Sequence, residues 1–235
     1  MRGAILQPTY LSWLGYFEII SSTDIYVIFD HVQFERKSWQ QRNRIKTPNG
    51  AIWLTIPVQK TSHTSRICDI KISYNNGNPL ERHWEIIKKA YKKAPYFNKY
   101  KERFERIYSQ KYIYLKDLDI ALIKETLDIL GIKTKIILSS ELDLKDESVE
   151  KTEKVINLCK KTGITQLLDS AGAKDIFNKS LFKDISITFQ DYDHPRYSQL
   201  WGKFIPYLST IDLIFNEKDP LSIIKAGNSG MRADI

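Results

Sequence analysis

Residues 24–29, DIYVIF, are apolar and aromatic almost without a break. A strand with one wet face alternates polar and apolar residues. A continuous run belongs to a strand covered on both faces, the usual state of a parallel sheet. Segments 4–7, 133–138, 165–168 and 185–189 are short apolar runs that read the same way, and helical patterns separate them. A helix is expected over 14–21, another over 149–161 ending before Gly163, and one from Ser170-Ala171-Gly172-Ala173 to about Asn178. Residues 198–208 read as a further helix. Strands alternating with helices at this spacing predict an α/β fold: an open, mostly parallel sheet flanked by helices. Residues 52–58, entered through the turn Pro48-Asn49-Gly50, and residues 67–72 read as two more strands.

The middle third has a different texture. Asn78-Pro79 supplies a cap and a first-turn proline. Helices are expected over 79–93, 98–110 and 115–130, the last stopped by Gly131. The expected organisation is an N-terminal half of the α/β domain with the main ligand site (1–78), a helical subdomain (79–131), a C-terminal half (132–217) and a partly ordered tail (218–235).

Composition narrows the class. At 235 residues the chain can bury a substantial core as one large domain. No apolar run approaches the ~20 residues of a bilayer span, and MRGAILQPTY lacks the long apolar core of a signal peptide. The expected location is cytoplasmic. Cys68 and Cys159 lie far apart without CxxC spacing, so neither a disulfide framework nor a cysteine zinc site is expected. The net charge of +8 falls partly on helix faces such as Lys88-Lys89 and Lys160-Lys161. Arg36, Lys37, Arg42, Arg44 and Lys46 differ, because aromatic and amide residues separate them, the mixture an anion site needs.

Four segments carry candidate chemistry. In Gln7-Pro8-Thr9-Tyr10 and Trp13-Leu14-Gly15-Tyr16, a strand end turns into a helix start whose unpaired N–H groups favour phosphate. The second block has the shape of the HxGH signature of nucleotidyltransferases, with aromatic residues at both histidine positions and Gly15 placed for close approach of a nucleotide. Core packing of Trp13, Tyr16 and Phe17 is the competing reading. Asp30-His31 ends the second strand. His31 is a candidate general base, and Asp30 could orient it or bind a ribose or a metal. Gln33 and the loop read at 38–44 follow: Trp39 to stack on a base, Gln40 and Asn43 to read polar edges, Arg42 and Arg44 for phosphate. Ser170 opens a small-residue turn, either a second anion cradle or a tight connection. His194, beside Asp191 and Asp193, is the second acid–base candidate. It is expected on the same sheet edge as Asp30-His31, with Tyr197 and Gln199 nearby. HxH and HxxxH spacings are missing, so no metal site is expected.

The blocks Gln7–Tyr10, Trp13–Phe17, Asp30 with Val32-Gln33-Phe34, and Ser38-Trp39-Gln40 with Arg42-Asn43-Arg44 resemble the WbqC-like family. So do Tyr197-x-Gln199, Phe204-x-Pro206 and the stretch 208–216. The likeness covers nearly the whole chain, with His31 standing where an acidic residue is common. Such proteins are encoded among genes for bacterial surface polysaccharides such as O-antigen, which implies sugar-nucleotide metabolism. The expected function is therefore a transferase in surface-polysaccharide precursor synthesis, acting on a nucleotide-linked sugar, by acyl or aminoacyl transfer to it. Its expected partners are that small molecule and a nucleotide or activated acyl donor. Two alternatives stay open: a nucleotidyltransferase-like enzyme, and a non-catalytic nucleotide- or RNA-binding module.

Overall fold

The computed structural model describes residues 1–142 and 150–228. Five parallel strands form the main sheet: β1 (Arg2–Leu6), β2 (Ile25–Ile28), β5 (Lys135–Leu138), β6 (Gln166–Asp169) and β7 (Ser186–Phe189), in the order β5-β2-β1-β6-β7. The chain winds outward from β1 through β2 to β5, then crosses back to lay β6 and β7 on the other side of β1. That reversal opens a crevice between the carboxyl ends of β1 and β6. A separate antiparallel hairpin, β3 (Arg42–Thr47) and β4 (Gly50–Thr55), stands beside it.

The apolar period of each strand sorts its residues to two faces. Ala4, Leu6, Tyr26 and Ile28 meet α1 (Leu14–Ser21), while Ile5, Val27 and Leu167 meet α5 (Lys151–Thr162) through Val155, Leu158 and Cys159. A third core joins the hairpin to α2 (Pro79–Tyr91) and α3 (Phe97–Tyr108), around Ile45, Leu54, Trp84, Tyr91 and Phe104. Between them lies α4 (Leu115–Leu130), apolar on two sides. Leu118 and Leu122, four apart, enter the helical core, and Ile120, Ile123 and Leu127 enter the sheet core. This helix thereby helps fix the helical layer against the sheet, as do Ile211, Leu213 and Ile214 further on, which also divide between the two cores.

Several expected elements change form. The loop expected at residues 38–44 gives way at Arg42 to strand β3, with Asn43 and Ile45 facing the core and Arg42 and Arg44 facing outward. Residues 67–72 form a 3-10 turn and isolated bridges, because burying Ile67, Ile70 and Ile72 together suits a turn better than a strand. The helix expected after Ser170 is only a 3-10 turn, Ala171–Ala173. Residues 198–208 are not helical. Trp201, Gly202 and Tyr207 have φ of 65°, 68° and 57°, and the Gln199 side chain bonds both N–H and C=O of Ile205, which closes a loop. The tail contains a helix, α7 (Pro220–Ala226), capped by Asp219, after α6 (Thr210–Asn216). Val149, the expected start of α5, and Gly230 in the tail lie outside the described residues.

Candidate functional site at the carboxyl ends of the strands

The crevice beside β1 is a cavity of about 450 Å³. Trp13, Phe29, Trp39 and Phe177 supply flat apolar walls, and Gln7, Thr9, Asn43, Ser170 and Gln190 supply polar groups. Asp169, the last residue of β6, brings in a carboxyl group that is only 5% exposed. Burial pushes its pKa up to about 7, opposed by hydrogen bonds from the Ser170 N–H and hydroxyl. Both of those bonds end on Oδ1, at 2.6 and 3.3 Å. Gln190, just past β7, donates from its side-chain amide to the Gly15 carbonyl (2.8 Å) and to buried Glu18, tying α1 to the far half of the sheet.

A second cavity, about 680 Å³, opens at the ends of β2 and β5. Arg66, Lys151 and Lys154 outnumber the one carboxylate of its lining, Glu35, and Arg66 is ion-paired to Asp69 at 3.0 Å; His31, Gln33 and Cys68 also face it. Gln7 and Lys151 line both cavities, so the two adjoin. The Gln7 side chain is fixed by Gln40, whose amide donates to it at 2.8 Å while its own carbonyl accepts from the Glu35 N–H.

Asp30 has no accessible surface. Its Oδ1 accepts from the Ser139 hydroxyl (3.0 Å) and the Ser140 N–H (2.9 Å), and its Oδ2 from the Ser140 hydroxyl (2.6 Å) and the Lys116 ammonium (3.3 Å). The Ser139 hydroxyl spends its one proton on Asp30 and also accepts the Asp30 N–H at 3.0 Å. It therefore meets His31 Nδ1, 2.7 Å away, as an acceptor. That assigns the His31 proton to Nδ1 and makes Nε2 the basic nitrogen. Asp30 acts on His31 through Ser139, and its saturated oxygens leave no lone pair for a ribose or metal.

The structure separates the expected site residues into groups. Gln7, Thr9, Trp13, Trp39, Asn43 and Ser170 share the first cavity, and His31 and Gln33 line the second. Tyr10 is buried in the helical core, its hydroxyl between His83 and Tyr108 at 2.8 Å each, away from any ligand. Gly15 is not an opening for a nucleotide, since a Cβ there would fall 2.3 Å from the Trp13 ring, which covers the helix start. Arg42 and Arg44 turn to the outer hairpin face. The Arg42 guanidinium lies 4.4 Å over Trp53, and Arg44 reaches the carbonyls of Pro206 and Tyr207. His194 stacks on the rear of Trp13, 6.5 Å between centroids. Its Nδ1 donates to the Pro195 carbonyl, and burial lowers its pKa. Tyr197 donates to buried Asp212, and Gln199 holds Lys46. Asp169, Lys151, Lys154, Ser139 and Gln190 were not anticipated. The one signal available was the position of Asp169, immediately before the small-residue turn at Ser170. Among the described residues no group of three or more His, Cys, Asp or Glu side chains could hold a metal ion, and no helix is long and apolar enough to cross a membrane.

Fold and site define an α/β protein with a doubly wound parallel sheet and a two-part cleft at its strand ends. The sequence profile of the WbqC-like protein family matches residues 7–221, and the chain belongs to that family. It is 34% identical over 218 residues to a Mycobacterium tuberculosis protein named "Uncharacterized protein Rv1507c", covering 91% of this chain and 92% of that one. No solved structure matches.

Proposed function

We propose that the protein is a transferase acting on a nucleotide-linked sugar in surface-polysaccharide precursor synthesis, by acyl or aminoacyl transfer to that sugar. One observation carries the reading: an apolar cavity with aromatic rings in its walls and a lysine-lined cavity adjoin at the switch point of the sheet, sharing Gln7 and Lys151. A nucleoside fits the first, of about 450 Å³, and its phosphates fit beside Lys151, Lys154 and Arg66 in the second. The sugar then lies near His31. Nε2 takes the proton from its amine or hydroxyl as that group attacks the acyl carbon of the activated donor. The bond from the acyl carbon to the donor's leaving group breaks, and the proton passes from Nε2 to the leaving group. Ser139 and Asp30 hold the imidazole in the tautomer this needs.

The test is a panel of nucleotide sugars with acyl and aminoacyl donors, followed by mass spectrometry. Turnover that falls by about 10²–10⁴-fold in His31→Gln, with the nucleotide still bound, is the expected result. Absence of both binding and turnover across the panel overturns the reading. A second reading, binding of single-stranded nucleic acid, draws on the exposed Trp39 and Trp53, their rings 5.5 Å apart beside Arg42. It requires steeply salt-dependent RNA affinity that Trp53→Ala removes.

A further inference from the structure

The least expected feature of the cleft is a carboxyl group, Asp169, in a cavity whose walls are mostly apolar, aliphatic and aromatic together. Both described hydrogen bonds to that side chain come from Ser170 and end on Oδ1. Oδ2 is left for whatever occupies the cavity Asp169 lines. A ligand matched to this lining carries a hydrogen-bond donor for Oδ2, a flat body for the ring surfaces of Trp13, Phe29 and Phe177, and polar edges for groups such as Asn43 and Gln190.

Two kinds of donor suit a carboxylate oxygen. An alkylammonium, such as the amine of a sugar, would bring positive charge into a cavity that Lys151 already lines. It also has no planar face. A nucleobase has the face, carries no charge, and places its phosphates outside the cavity, where Lys151 leads to Lys154 and Arg66. Bases differ in what they would present to Oδ2. Adenine, cytosine and guanine carry an exocyclic amino group. Uracil and thymine carry one ring N–H flanked by two carbonyl oxygens, which repel a carboxylate.

We propose that the cavity between β1 and β6 is a nucleobase site and that Asp169 selects bases bearing an exocyclic amino group through Oδ2. The proposal rests on the nucleotide-sugar reading above and names the class of nucleotide it uses. The raised pKa agrees with a carboxyl buried far enough from water for such a bond to discriminate. Asp169 is here a specificity-determining residue that touches the substrate's base, remote from the atoms that react.

The test is calorimetric titration of the full chain with CMP, AMP, GMP, UMP and dTMP at pH 8, where the carboxyl is ionised. The unaltered protein is expected to bind the three amino-bearing nucleotides roughly tenfold to a hundredfold more tightly than UMP or dTMP. Asp169→Asn, its Oδ1 held by Ser170 as in the parent, replaces Oδ2 by an NH2 that donates to a uracil carbonyl and opposes an exocyclic amino group, so it should strengthen UMP and dTMP binding and erase the preference. Lys151→Ala should weaken all five alike. If UMP binds the unaltered chain as tightly as CMP and AMP, and Asp169→Asn leaves the order unchanged, the base-reading role is overturned while the nucleotide site stands. If none of the five binds at millimolar concentration, the nucleotide reading falls and takes this inference with it.

Discussion

Asp30 and Asp169 end parallel strands two apart in one sheet, and both are buried, yet their surroundings give them opposite characters. Asp30 is saturated by four donors from Ser139, Ser140 and Lys116. Asp169 has one neighbour donating to it, and burial leaves it near pKa 7. Position at a strand end is therefore not a role. The inventory of donors around each carboxyl decides whether it holds the fold together or faces a ligand.

The comparison breaks most visibly at Asp30. Asp30→Ala leaves Lys116 without its partner and the Ser139 and Ser140 donors unmet. The expected loss is about 3–5 kcal/mol in chemical denaturation. A loss below about 1 kcal/mol would mean that the network is not structural. Asp169 should behave in the opposite way. Its native pKa of about 7 stands above the ordinary carboxylate value of 3.8, so the native state favours the protonated form. Its contribution to stability is complete below about pH 4 and is lost as pH rises through 7. Asp169→Asn should flatten this part of the pH profile, so that melting temperatures of variant and parent diverge in the variant's favour between pH 5 and pH 8. An unchanged difference across that range would remove the assigned pKa.

Ser139→Ala should cost less, about 1–3 kcal/mol, because it removes one buried hydroxyl between Asp30 and His31. It should lower turnover while leaving nucleotide affinity alone, since Ser139 acts by holding the imidazole. Turnover unchanged beside a measurable stability loss would make the relay purely structural. The smallest effect is expected on the outer hairpin face. Arg42→Ala removes an exposed contact with Trp53, for about 0.5–1 kcal/mol, and should not alter nucleotide binding. A large loss of nucleotide affinity there would move the phosphates to the hairpin.

What the sequence disclosed followed from local periodicity. Leu115–Leu130 has the expected bounds because its apolar spacing is helical and because Gly131 takes the left-handed φ of 69° that ends a helix; Leu14–Ser21 also has the expected bounds, though it is buried on every side. The order in which the sheet reverses, and hence the crevice beside Gln7, is set by long-range pairing such as Arg2 with Gln166 and Gly3 with Leu167. That is also why Lys151 and Asp169 were not anticipated: parallel register brings Asp169 beside the end of β1, and the crossover through α5 sets Lys151, its first residue, at the same cleft. Arg42 and Arg44 misled for the opposite reason. Their local company looks like an anion loop, but strand alternation points them outward together while Asn43 points in.

The most direct test of the two-part cleft is a crystal structure of the protein with CMP. The account expects the cytosine ring between Trp13 and Phe177 with its amino group on Asp169, and the phosphate beside Lys151 and Lys154. A nucleotide found instead on Arg42, Arg44 and Trp53, with the switch-point cavity vacant, would contradict it.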